Sequence, residues 1–222
     1  MKKFRISILI MMVAAISFAG CSTMNKTQKG AVVGTAAGGA AGAVIGKASG
    51  NTALGAIIGA AVGGTTGAVI GNQMDKQAEE IKQNVPDAEV IRVGEGIVVE
   101  FSSNILFGFD QSDLSYDAKL NLDKLVQVLT AYPDTDIEIQ GHTDSKGSQS
   151  YNQTLSEQRA GTVTHYLATK DVPYSRLKIV GFGEMLPKYD NNTEEGRTQN
   201  RRVEFLITAN EKMKADAEKA AQ

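Results

Sequence analysis

Glycines placed four residues apart constrain the first third of this chain more than any other feature. They stand at 30, 34, 38, 42, 46 and 50, and again at 55, 59, 63, 67 and 71. The two runs form a repeat of period 25, in which GAVVGTAAGGAAGAVIGK (30–47) aligns with GAIIGAAVGGTTGAVIGN (55–72), glycine on glycine. Four-residue spacing draws a glycine stripe down one side of a helix, where a second helix approaches closely. Ser49-Gly50-Asn51 carries turn chemistry between the copies. The pattern therefore predicts an antiparallel helical hairpin over 30–72, each arm about 25 Å long. In water each glycine costs a helix about 1 kcal/mol relative to alanine. The hairpin thus needs a partner: its own second arm, other copies of the chain, or a bilayer. Val32, Ile45, Ile57 and Val69 offer apolar surface to lipid, and Lys47, beside the turn, is the only charge between Lys29 and Asp75. Membrane insertion and a homo-oligomer both stay open.

Residues 1–20 read as an export signal. Lys2, Lys3 and Arg5 form its charged start, and Ile6 to Phe18 an apolar core too short to span a bilayer comfortably. Cys21, the only cysteine, follows Ala19-Gly20. A lone cysteine makes no internal disulfide. Small residues before it resemble the bacterial lipoprotein signal, with Phe18 where leucine is more usual. That resemblance implies cleavage before Cys21, acylation of Cys21, and, with Ser22 next, sorting to the outer membrane. Residues 21–29 are then a lipidated linker. Without residues 1–20 the chain keeps 20 basic against 25 acidic side chains, a net charge of −5. A mildly acidic chain with no basic run argues against nucleic acid as partner.

After the repeat, Met74, Ala78, Ile81 and Val85 recur at helical spacing before Pro86, which predicts a helical connector over 73–87. As a free spacer it would hold the next unit about 20 Å away. A folded domain is expected over 88–209. Ile97, Val99 and Phe101 alternate with Val98, Glu100 and Ser102 as a strand, and Leu122, Leu125, Val126, Leu129 and Tyr132 trace a helix face that Pro133 ends. Ile137 and Ile139 begin a second strand, Leu177 and Ile179 a third, and Val203, Phe205 and Ile207 a fourth. Asp190-Asn191-Asn192 reads as loop. The order β-α-β-α-β-β predicts an α+β sandwich with helices on one face of a mixed sheet. The tail 210–222 lacks an apolar face and is expected to be solvated.

The stretch 141–159 carries the candidate chemistry. Ser150, with Gln153 three residues on, is a capping box that starts a helix near Tyr151. Asn152, Leu155, Ser156 and Arg159 share one face of that helix. An arginine in such a stripe is costly to desolvate without a carboxylate. Asp144, in the loop before the helix, is one candidate, and a ligand carboxylate is the other.

The run GHTDSKGSQSYNQTLSEQRA, with NILFGFDQSDL before it and GFGEMLP…NNTEEGRTQNRRVEF after it, resembles the OmpA C-terminal-like family over about residues 97–208. Glycine-zipper segments like 30–72 accompany some OmpA-like lipoproteins. The resemblance implies noncovalent binding of peptidoglycan through the diamino acid of its stem peptide. Asp144 then meets an ammonium and Arg159 a carboxylate, fifteen residues apart as the family motif requires. Asp110 would line the same pocket, and Asn152, Leu155 and Arg201 carry over as further contacts. Arg202 is as well read as a surface charge.

The residues suggest no catalyst. Cys21 sits at the lipid site, no serine occupies a G-x-S-x-G turn, and His142 and His165 do not form a zinc-ligand spacing. His142 is expected at a strand end, pointing to core or loop. GFGE (181–184) has too few glycines for a dinucleotide fingerprint and precedes no helix, so no cofactor is expected.

Overall fold

The computed structural model describes residues 65–107 and 111–221. Cys21, the first glycine repeat and Asp110 lie outside them. In chain order the elements are α1 (Thr65–Asn84), β1 (Glu89–Val93), β2 (Gly96–Ser102), the single turn α2 (Ser103–Leu106), α3 (Tyr116–Ala131), β3 (Thr135–His142), α4 (Gln149–Thr169), β4 (Leu177–Gly183), α5 (Glu194–Asn200), β5 (Arg202–Ala209) and α6 (Glu211–Ala220). The sheet order is β1-β2-β5-β3-β4. Only β3 and β4 run parallel, joined through the crossover helix α4. This is the expected α+β architecture, with one more strand.

Alternation along the strands decides which face is covered. Ile97, Val99 and Phe101 of β2, Ile137 and Ile139 of β3, and Val203, Phe205 and Ile207 of β5 are all buried in one core beneath the helices. Phe101 and Phe205 meet edge to face, with centroids 5.7 Å apart. The predicted stripe of α3 lies in the same core.

Four local expectations need correction. The cap of α4 is Ser148, whose hydroxyl accepts from the Tyr151 amide, so the helix starts two residues earlier than the Ser150 box suggests. The segment after Asp190 contains α5, capped by Thr193 through the Gly196 amide. The polar tail forms α6, which buries Met213 and Ala217 against α1. The stretch read as a connector is no free spacer: α1 runs unbroken from the glycine repeat, and Ile70, Met74, Ala78 and Ile81 join the main core.

The outer face of the sheet holds the largest departure. Arg202, expected at the surface, is 1% exposed and donates from Nε to Glu204 at 2.7 Å. Its other nitrogens reach the Asn200 and Leu186 carbonyls. Lys188 donates to Glu100 at 2.9 Å. His142 closes the cluster, stacked on Phe182 with no hydrogen bond to either ring nitrogen among the described residues. Burial, with the nearby Arg202 and Lys188 charges, holds its pKa well below the usual histidine range, so the ring is neutral. Burial also raises the Glu100 carboxyl.

Candidate functional site

The cleft at the end of β2, β3 and β5 depends on how closely α4 approaches the sheet. A Cβ on Gly141 would lie 2.1 Å from the Ser156 carbonyl oxygen, and one on Gly181 2.4 Å from the Glu157 side chain. Gly183, at φ +51°, turns the end of β4 so that its amide donates to the Ser156 hydroxyl at 2.9 Å and its carbonyl accepts from Thr143. With Ser156 fixed on the sheet, Asn152, Leu155 and Arg159 are presented at the sheet's end.

Asp144 leaves β3 in an Asx turn, one oxygen accepting from the Lys146 amide at 2.9 Å. Its other oxygen pairs with Arg201 at 2.6 Å, so the protein cation on Asp144 comes from the start of β5. Arg201 also donates to Thr198 and lies 3.8 Å from Glu194. Arg159 is 4% exposed, gives Nε to the Gln111 carbonyl at 3.1 Å, and sits 5.3 Å from the Phe107 ring centroid. Those contacts fix the plane of a guanidinium that would otherwise sample many rotamers. Asn152 donates to Glu184.

Asp144, Asn152, Leu155, Arg159 and Arg201 thus all line one open cleft of about 190 Å³. Sequence reasoning missed Ser103, Asn104, Thr143, Lys146, Tyr151 and Glu194, which complete the lining. Thr143 and Lys146 flank Asp144 and were within reach of the motif; Glu194 had no such signal. The Ser103 and Thr143 hydroxyls are buried in its wall and unpartnered among the described residues. Among the described residues Lys146, Arg159 and Arg201 face Asp144 and Glu194 there, so the cleft offers both signs of charge. Hydrogen bonds from Arg197 and Lys146 hold the Glu194 carboxyl below its ordinary range. His142 is not in this cleft. No cluster of three or more potential metal ligands occurs among the described residues.

Residues 106–201 match the OmpA family, and residues 1–75 match the YMGG-like Gly-zipper. The outer-membrane lipoprotein YfiB of Pseudomonas aeruginosa is 36% identical over 52% of this chain and 68% of its own length. The chain belongs to the OmpA family. Another OmpA-family relative, a peptidoglycan-associated lipoprotein of Rhizobium meliloti, is 31% identical over 57% of this chain and 77% of its own length. The chain spans between 16% and 36% of the length of three longer curated relatives, two of them outer membrane porins F from Pseudomonas. A MotB-like protein of Desulfovibrio vulgaris shares the fold at TM-score 0.59 and 22% identity, over 63% of this chain and 93% of that one.

Proposed function

We propose that this chain binds peptidoglycan noncovalently, gripping the diamino acid of the stem peptide, and that lipid on Cys21 ties the domain to the outer membrane from the periplasmic side. One observation carries the reading: Asp144, Arg159 and Arg201 converge on a single open cleft. A diamino acid side chain that ends in an ammonium and a carboxylate matches that arrangement. The ammonium takes a place beside Asp144, and the carboxylate meets Arg159, which is already oriented by Phe107 and Gln111. Pre-orientation lowers the entropy lost on binding. The Ser103 and Thr143 hydroxyls, unpartnered among the described residues, lie in the wall behind these charges. The names of the relatives, peptidoglycan-associated and outer-membrane lipoproteins, support the same reading. It involves binding and no reaction.

The test is sedimentation of the full-length chain, in detergent, with purified sacculi, comparing wild type with Asp144→Ala and Arg159→Ala. Circular dichroism establishes that each variant is folded. Folded variants that stay in the supernatant while wild type pellets support the cleft. Variants that pellet like wild type sink it.

A further inference from the structure

Helix α1 joins two regions that the sequence keeps apart. Its first eight residues, 65–72, are the last eight of the second glycine repeat, and the helix then runs without a break to Asn84. Ile70 is fully buried in the main core. One turn of chain around Gly71 is also clamped by Arg92 of β1. The Arg92 guanidinium donates to the Gly71 carbonyl at 3.2 Å, to Asp75 at 2.8 Å, and to the Gly94 and Gly96 carbonyls at 2.7 Å each. The repeat therefore ends inside the folded domain.

We propose that α1 is a rigid coupling that fixes the last turn of the second glycine repeat, around Ile70 and Gly71, on the folded domain and out of the bilayer. Drawing Ile70 and Gly71 into hydrocarbon would strip the core of a buried isoleucine and take a carbonyl and a carboxylate from Arg92. Among the described residues no helix is long and apolar enough to cross a membrane.

The clamp also gives the molecule a direction. Gly94 and Gly96 mark the β1–β2 turn, whereas Ser103, Asp144 and Arg201 follow or precede the opposite ends of β2, β3 and β5. Gly96 to Ser102 is six residue steps, about 20 Å of strand. The cleft thus opens at the end of the sheet away from where the repeat enters. That this far end meets the cell wall rests on the binding reading above; the placement of α1 does not.

The experiment uses the full-length, acylated chain in vesicles of phosphatidylethanolamine and phosphatidylglycerol, with a nitroxide on Val69→Cys or Gln73→Cys. Both positions are exposed, Val69 at 38%. A water-soluble relaxant is expected to reach the label at Val69 at the same rate as at Gln73. Preferential relaxation of the Val69 label by oxygen, as at a lipid-facing site, would overturn the proposal. A second label at Lys178→Cys is expected to give one narrow distance to Val69, and a broad distribution would refute rigidity. Sedimentation of the same labelled chain with sacculi reports on the cleft separately, so loss of wall binding and loss of the coupling are distinguishable.

Discussion

Arg201 and Arg202 are neighbours in the chain and carry the same side chain, yet they occupy different solvents. Arg201 is 24% exposed and shares its guanidinium between Asp144, Thr198 and the nearby Glu194. Arg202 points through the other face of the sheet, where it is 1% exposed and held by Glu204 and two carbonyls. The pleat of β5 alone separates them, because successive side chains point to opposite faces. In the cleft, water or a ligand can take over each partner of Arg201. On the other face Arg202 depends on little-exposed carboxylates, Glu204 at 2.7 Å and Glu100 at 3.9 Å. Charge at this end of the sheet is exchangeable on one face and committed on the other.

Removing each guanidinium in turn is the strongest challenge to that distinction. Arg202→Met leaves Glu204 and Glu100 with one cation fewer in a dry site, and chemical denaturation is expected to show a loss of about 3–5 kcal/mol. Arg201→Met, with water at hand, is expected to lose about 1 kcal/mol. Equal losses would erase the difference between the faces.

Acid provides the next test. His142 is kept neutral in the fold by burial and by the Arg202 and Lys188 charges. In the unfolded chain it takes up a proton near its ordinary value, so stability is fully present above that value and is lost as pH falls toward the depressed folded one. The loss grows as pH falls further below the ordinary value. Glu100, raised by burial, contributes in the opposite sense on acidification. His142→Phe isolates the histidine: its denaturation midpoint should fall less between pH 7 and pH 5 than that of wild type. Identical slopes would place the acid sensitivity elsewhere.

The smallest effect is expected at the cleft's rim. Lys146 and Glu194 pair at 3.4 Å with both side chains mostly in water. Lys146→Ala should leave the denaturation midpoint unchanged and weaken sacculus binding more at low salt than at high salt. A salt-independent loss would mean that Lys146 makes a buried contact with the ligand.

The parts of the fold written in periodicity were legible from sequence. Ile137 and Ile139 alternate in β3, and Asn152, Leu155, Ser156 and Arg159 share one face of α4, which begins two residues before the expected start; Asn152, Leu155 and Arg159 of that face line the cleft. Asp144 and Arg201 were recognised as cleft residues, but their mutual pairing was not, because they are 57 residues apart and only the sheet brings them together. The stripe Met74, Ala78, Ile81 was seen, and what it packs against was not: a stripe states that a face is apolar, never which surface covers it. In α6, Met213 and Ala217 make a stripe too narrow to stand out among charges. The burial of Arg202 gave no local signal at all, since its partners come from β5 itself, β2 and the segment after β4.

The placement of the Arg92 clamp and the cleft at opposite ends of the sheet has a mechanical consequence. Tension between those ends runs along the strands, while the hydrogen bonds of the antiparallel β2–β5 and β5–β3 ladders lie across it. Such a pull shears each ladder, loading its bonds together, rather than peeling them open one after another. The domain is built to be tugged lengthwise.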